Sequence, residues 1–285
     1  ACDVDGIVSI DPVFIQKMVE INGNVTLEDG TVLTGENTAE YMLNTIYKEV
    51  PVSLQDTYFE YIASTIMNNA FSNMDITKMM KVAQSIGELT RNRHFYAYTF
   101  HDDEAKYFQG AGLAKGTPDS ETDPEVGIYL NEQNPSKLGW YIDRKTQITK
   151  TGQNADGSKT YHVTYTLTNT LTSSEMATCT GYILGGEQAG VTGKPVAAPG
   201  TSAQRMLFYA PKGGSISEIT SSGDVRDQSN AVMDGQKLVT NVAYIAPGES
   251  VTFDFDVTTS PKAENDLTID QTPSGKMTNE VNYQY

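Results

Sequence analysis

The sequence predicts an α+β chain of two domains, an α/β layered domain over about residues 1–143 and an antiparallel, Ig-like β-sandwich over about residues 144–285. Three observations predict it. Apolar residues recur at helical spacing in several segments before Asp143 and in none after it. Short β-rich runs separated by Gly, Pro, Asp and Ser turns fill the second half. A length of 285 residues gives each half enough chain to bury its own core.

Gly6 to Ile10 reads as a strand. Asp11-Pro12 then offers an N-cap oxygen and a proline at the first helical position, where a missing N–H costs nothing. Phe14, Ile15, Met18 and Val19 form one apolar stripe, and Gly23 stands where a left-handed cap is wanted. Val25 and Leu27 resume a strand, and Asp29-Gly30 marks a hairpin. Ala39 to Tyr47 fits a helix that Pro51 stops. Ser53, with Asp56 three residues on, predicts a capping box for a longer helix buried along Leu54, Tyr58, Tyr61, Ile62, Ile66 and Ala70. Asp75 caps a third, in which Ile76, Met79, Met80, Ala83 and Ile86 are expected to fill core. His94 to Phe100 alternates as a strand, followed by a short helix ending near Gly110, strands over 126–130 and 138–142, and loops between. In the second half, Asn154-Ala155-Asp156-Gly157 joins two strands, the second placing Tyr161, Val163, Tyr165 and Leu167 on one face. Further strands are expected at 179–184, 206–209, 238–245, 251–257, 267–269 and 281–285, with 266–285 either last strands or a tail.

The formal net charge is −16. Residues 1–143 hold 9 Lys and Arg against 22 Asp and Glu, a net of −13, and residues 144–285 hold 11 against 14, a net of −3. Nucleic-acid binding rests on clustered cations that neutralise phosphates, so this balance argues against DNA and RNA, and against anionic lipid as a broad docking surface. No apolar run approaches the roughly 20 residues that span a bilayer. Cys2 and Cys179 are read as free thiols, Cys179 in a buried strand; a bridge between them would close a long loop worth up to about 5 kcal/mol.

Arg91, Arg93 and His94 form the densest basic cluster of the acidic half. With Lys137 they are the candidate anion-binding residues, since guanidinium groups grip phosphate or carboxylate bidentately. Pairing with neighbouring acids is the structural alternative. His101 beside Asp102-Asp103-Glu104, and the alternate carboxylates Asp119, Glu121, Asp123 and Glu125, superficially suit Ca²⁺ or Mg²⁺ but lack EF-hand spacing; no metal and no cofactor is expected. No Gly-x-Ser-x-Gly occurs and no Ser-His-Asp set is legible. Asn169, Asn241 and Asn279 on strands with nearby lysines raise isopeptide cross-links as a structural option.

Several segments in order, GIVSIDPVFIQKMVEINGNV, LTGENTAEYML, SLQDTYFEYIAS, RNRHFYAYTF, VGIYLNEQNPSKLGWYIDR, YTLTN, APGESVTFDF and LTIDQTP, resemble the domain of unknown function 4012 family. That resemblance implies an extracytoplasmic protein of the bacterial envelope or a secreted one, with a membrane tether upstream, and implies no mechanism. More remotely, the first half is similar to the LytR-CpsA-Psr transferases, which move glycopolymers from polyprenyl pyrophosphate. Those enzymes hold pyrophosphate with arginines where this chain has Asn44, Thr45, Ile46, Tyr47 and Lys48, and no arginine precedes Arg91.

The expected function is therefore binding or assembly in the envelope, with a cell-wall glycopolymer or polyprenyl-phosphate lipid recognised without turnover. Two alternatives stand beside it: an active glycopolymer phosphotransferase or hydrolase using acids such as Asp11 or Asp56, and a purely structural adhesin.

Overall fold

The computed structural model describes residues 4–72, 74–185, 194–233 and 235–285. The chain is α+β and forms two compact units, Ala1–Lys115 with Pro273–Thr278, and Gly116–Thr272 with Asn279–Tyr285. The division thus falls near residue 115 rather than 143, because the strand at 125–132 pairs inside the second unit.

In the first unit the order is β1 (Gly6–Ile10), α1 (Pro12–Asn22), β2 (Val25–Thr26), β3 (Val32–Leu33), α2 (Thr38–Glu40), a π-helical turn (Tyr41–Thr45), α3 (Ile46–Glu49), α4 (Val52–Ser72), α5 (Ile76–Arg91), β4 (Phe95–Thr99) and α6 (Asp102–Gly110). β1 and β4 pair antiparallel with Val8 opposite Ala97, and β2 with β3 forms the hairpin around Gly30. Helices dominate this unit, and its two sheets have two strands each. α1 packs against α4 and α5 through Phe14, Ile15, Met18 and Val19, which share a core with Ile62, Ile66 and Leu89.

α1 starts where Asp11 Oδ1 accepts from Val13 N at 2.9 Å and Phe14 N at 3.0 Å. Its other oxygen, Oδ2, lies 2.7 Å from His94 Nδ1, and His94 Nε2 lies 3.0 Å from the Met277 carbonyl. A carbonyl only accepts, so Nε2 carries the hydrogen of that bond. His94 is 2% exposed and ties the start of α1, the start of β4 and the returning segment 273–278 into one unit.

Gly23 does cap α1 with a positive φ of 102° and donates to Val19 O, although ψ 164° puts it outside the αL well. Several other expectations fail here for physical reasons. Ser53 lies inside α4, so it cannot cap it; Leu54 is exposed, and Gln55 is buried instead, its amide donating to Val50 O at 2.9 Å. On α5 the expected core residues Ile76, Met79 and Met80 are 78%, 60% and 58% exposed, because the helix turns Val82, Ile86 and Leu89 toward α1.

The second unit contains β5 (Glu125–Glu132), a 3₁₀ turn (Leu138–Tyr141), β6 (Ile142–Gln153), β7 (Lys159–Asn169), α7 (Ser173–Thr178), α8 (Gly181–Leu184) and β8 (Ser202–Tyr209). It continues with β9 (Ser215–Ile216), β10 (Thr220–Ser222), β11 (Asp224–Met233), β12 (Gln236–Ile245), β13 (Ser250–Thr258), β14 (Thr268–Gln271) and β15 (Glu280–Gln284). One sheet runs β10-β13-β7-β6-β15 with β9 also on β13, and the other β11-β12-β8-β5-β14. Both contribute to one core. Tyr161, Val163, Tyr165 and Leu167 face it as the alternation predicts, while His162, Thr164 and Thr166 meet Asp256, Asp254 and Thr252 across the outer face. The sandwich is not wholly antiparallel: β14 and β15 close the two sheets as parallel edge strands, so residues 268–271 and 280–284 are ordered strands rather than a tail. Residues 179–184 are not a strand either. Thr172 and Glu175 form a capping box for α7, Cys179 caps its end half-exposed, and Thr180 caps α8. Cys2 lies outside the described residues.

Asp266 fastens β14 to the opposite sheet. Its Oδ1 accepts from Lys150 Nζ and Tyr161 Oη, both at 2.7 Å, and these bonds hold the carboxyl below its ordinary range. Burial pushes the Tyr161 and Tyr165 phenols up, Tyr165 to about 12, so both stay neutral donors.

Two stability outcomes follow from these ties. His94→Ala should cost about 2–3 kcal/mol in urea unfolding followed by circular dichroism, because it leaves the part-buried Met277 carbonyl without its donor and loosens Asp11; trypsin should then cut faster after Lys276 in the released segment. Asp266→Asn should cost about 1–3 kcal/mol at pH 7 by the fluorescence of Trp140, which lies in the second unit. Since the native carboxyl is lowered, its contribution is full above the unfolded value near 3.9 and fades as pH falls below it, so the variant's acid limb should be flatter than the parent's.

Candidate functional site

The predicted anion cluster does not converge on one point. Arg91 ends α5 and is exposed. Arg93 has φ 63° and directs Nη1 to Tyr96 Oη at 2.6 Å, with its guanidinium over that ring. Both nitrogens of His94 are engaged as described. Lys137 belongs to the second unit, where its Nζ lies over the Tyr182 ring at 5.5 Å.

The other candidates are held structurally. Asp11 is used on both oxygens, and Asp56 lies exposed on the first turns of α4. Glu121 accepts from Ser260 Oγ at 2.7 Å and Lys262 Nζ at 3.1 Å, and Asp123 from Asn265; these bonds hold both carboxyls low. Asp102, Asp103 and Glu104 occupy the first turn of α6, where negative charge suits the helix dipole. Among the described residues no group of three or more His, Cys, Asp and Glu is placed to hold a metal ion. Asn169 donates to Gly200 O and Ile245 O and accepts from Leu171 N, so its amide is spent on backbone rather than on a lysine. Asn279 lies just before β15.

A site arises instead where the sandwich opens between β9 and the β11–β12 pair. A cleft of about 660 Å³ is lined by Phe208, Gly214, Ser215, Ile216, Asn230, Ala231, Val232, Lys237 and Val239. A second crevice of about 440 Å³ shares Ile216, Asn230 and Val239 with it and reaches Glu218, Ile219 and Gln228. Local sequence explains the opening. β9 and β10 are short and separately paired to β13, with Ser217–Ile219 between them. β11 carries a bulge between Arg226 and Ser229, where Asp227 takes φ 57°, and bulges bend an edge strand away from its neighbour. Gly214 lets the chain lie against β13, since a Cβ there would meet Thr258 O at 2.2 Å.

The floor is apolar: Phe208 packs edge-to-face on Phe253 and Phe255 at 5.1 and 5.6 Å. The same inward row of β12 that presents Val239 presents Asn241 two residues deeper. Asn241 donates to Gln228 Oε1 at 3.3 Å, while its buried Oδ1 has no partner among the described residues. Lys237 is exposed at the rim. The arrangement can take an apolar chain inside and an anionic group toward Lys237.

The sequence marks Phe208 and Val239 only as strand residues and Asn241 only as an isopeptide option, and none of the cleft's lining residues as a binding residue. Residues 210–235 showed no strand pattern, because β11, DVRDQSNAVM, is polar on both faces. The signal that could have marked them is the Gly213-Gly214 turn followed by two short β-runs before Gly223.

No helix among the described residues is long and apolar enough to cross a membrane. No curated protein matches the chain. A crystal structure from Legionella pneumophila, described as that of a candidate nutrient-binding protein, is similar at 13% identity over 49% of this chain and 44% of that one. Its TM-score of 0.24 carries no argument about fold or ligand. The family model described as "Protein of unknown function (DUF4012)" matches residues 1–47, which supports that family for the segment running from β1 into the start of α3.

Proposed function

We propose that this chain is a binding protein of the bacterial envelope, extracytoplasmic or secreted, whose second unit holds a polyprenyl-phosphate lipid, free or glycan-linked, without turnover. In this reading the first unit is a scaffold of the LytR-CpsA-Psr kind that no longer grips pyrophosphate. The observation that carries the proposal is the cleft itself: an apolar floor with Lys237 at its rim. The prenyl chain lies against Phe208, Ile216 and Val239, and Lys237 meets the phosphate. The cations of the first unit support it by contrast, since Arg93 and His94 are already bound to Tyr96, Asp11 and Met277.

Titration calorimetry with farnesyl phosphate tests this. Binding is expected, with affinity lowered about tenfold by Lys237→Glu, the effect of one lost charge-assisted bond. Val232→Trp, whose side chain shares the face of Lys237 and Val239 and fills the cleft from an edge strand, should abolish it while circular dichroism stays unchanged. Equal affinity in all three proteins would overturn the assignment, and release of inorganic phosphate from the ligand would favour the hydrolase alternative.

A further inference from the structure

β1 is an edge strand left open along its length. It pairs with β4 on one side and, among the described residues, with nothing on the other. The Phe100 N–H donates to Asp5 O at 2.9 Å, and this bond sets the alternation of the antiparallel ladder. Asp5, Ile7 and Ser9 turn their N–H and C=O groups to β4, so Gly6, Val8 and Ile10 turn theirs outward. Neither face shields the strand: Ile7 is 57% and Val8 61% exposed. The run Gly-Ile-Val-Ser-Ile also carries no Lys, Pro or bulge, the features by which proteins usually blunt an open edge.

We propose that this edge docks one further strand, an extended segment of another polypeptide with apolar residues at alternate positions and a basic residue opposite Asp5. Only a strand backbone satisfies a row of alternating outward donors and acceptors, and main-chain pairing of this kind is a known mode of peptide recognition. Charge selects the partner. Neither β1 nor β4 contains Lys or Arg, and the end at Asp5 is bordered by Asp102 and Asp103 after β4. Asp5 meets His101 Nε2 at 3.1 Å, yet its side chain is 89% exposed, which leaves it open to a second cation. A second copy of this chain fits poorly. The two-fold register that uses Gly6, Val8 and Ile10 together is centred on Val8 and sets Asp5 opposite the copy's Asp11, and like charges directly opposite destabilise a sheet.

The test tethers a probe strand, Thr-Val-Thr-Val-Lys, ahead of Ala1 of the full chain through a flexible Gly/Ser linker of about ten residues, giving an effective concentration on the order of millimolar. Amide hydrogen exchange at Gly6 and Val8, the two outward amides that the five-residue probe spans, should slow at least tenfold by NMR relative to the untethered chain. The protection should vanish with the probe Thr-Pro-Thr-Pro-Lys, which leaves the protein itself unchanged, and weaken when glutamate replaces the probe's lysine. Unchanged exchange at those amides, or equal protection with the proline probe, would overturn the proposal. So would dimerisation of the untethered chain with the same amides protected, which assigns the edge to a second copy.

Discussion

The carboxylate of Asp11 is the point on which the first unit depends. One oxygen satisfies two orphan N–H groups at the start of α1, which fixes where β1 ends and the helix begins. The other reaches His94, eighty-three residues later in sequence, and through it the Met277 carbonyl. A two-stranded sheet is marginal by itself, so β1 and β4 hold their place because this bridge fastens both at the helical core. Here a cap that costs nothing locally becomes a tertiary constraint.

Carboxylates serve similar purposes throughout the sandwich, which gives the acidic composition a physical sense. Glu132 accepts from Ser202 Oγ, Gln204 Nε2 and the Ala203 and Asn134 amides, joining β5 to β8. Asp266 anchors β14, Asp156 holds the β6–β7 turn through Ser158, and Glu121 and Asp123 pin one loop to another. An ionised carboxylate is an acceptor only, with several lone pairs, and it suits places where more than one donor must be satisfied together. The charge is thus partly structural and partly solvated surface, and Lys17, Lys145, Lys150, Arg226 and Lys262 pair with it.

Local signals in the sequence were legible and non-local ones were not. Asp11-Pro12, Asp29-Gly30, the Asp75 cap and the alternation from Tyr161 to Leu167 each act within a few residues, and each forms as expected. The capping box Thr172 to Glu175 was equally local but went unread beside a β-rich run, so two short helices stand where a strand was expected. Which face of α5 meets α1 is not a local matter: Ile76, Met79 and Met80 share the helix's apolar character with Val82, Ile86 and Leu89, and packing chose the latter. The parallel pairings of β14 and β15 depend on where distant chain returns, which periodicity does not encode. The candidate site shares that difficulty. Arg91, Arg93 and His94 are adjacent in sequence but face separate partners, whereas the cleft gathers residues from five strand and turn segments around a polar edge strand.

The proposed ligand divides its interactions unequally between these features. Each methylene buried against Phe208, Ile216 and Val239 is worth about 0.8 kcal/mol, so a prenyl chain supplies most of the affinity and little of the orientation. Lys237 contributes one flexible point charge rather than a planar fork, which fits a phosphate approaching from solvent without demanding a fixed angle. A chain entering tail first leaves the phosphate outside at Lys237, and the electrostatics of the cleft therefore fix the ligand's direction.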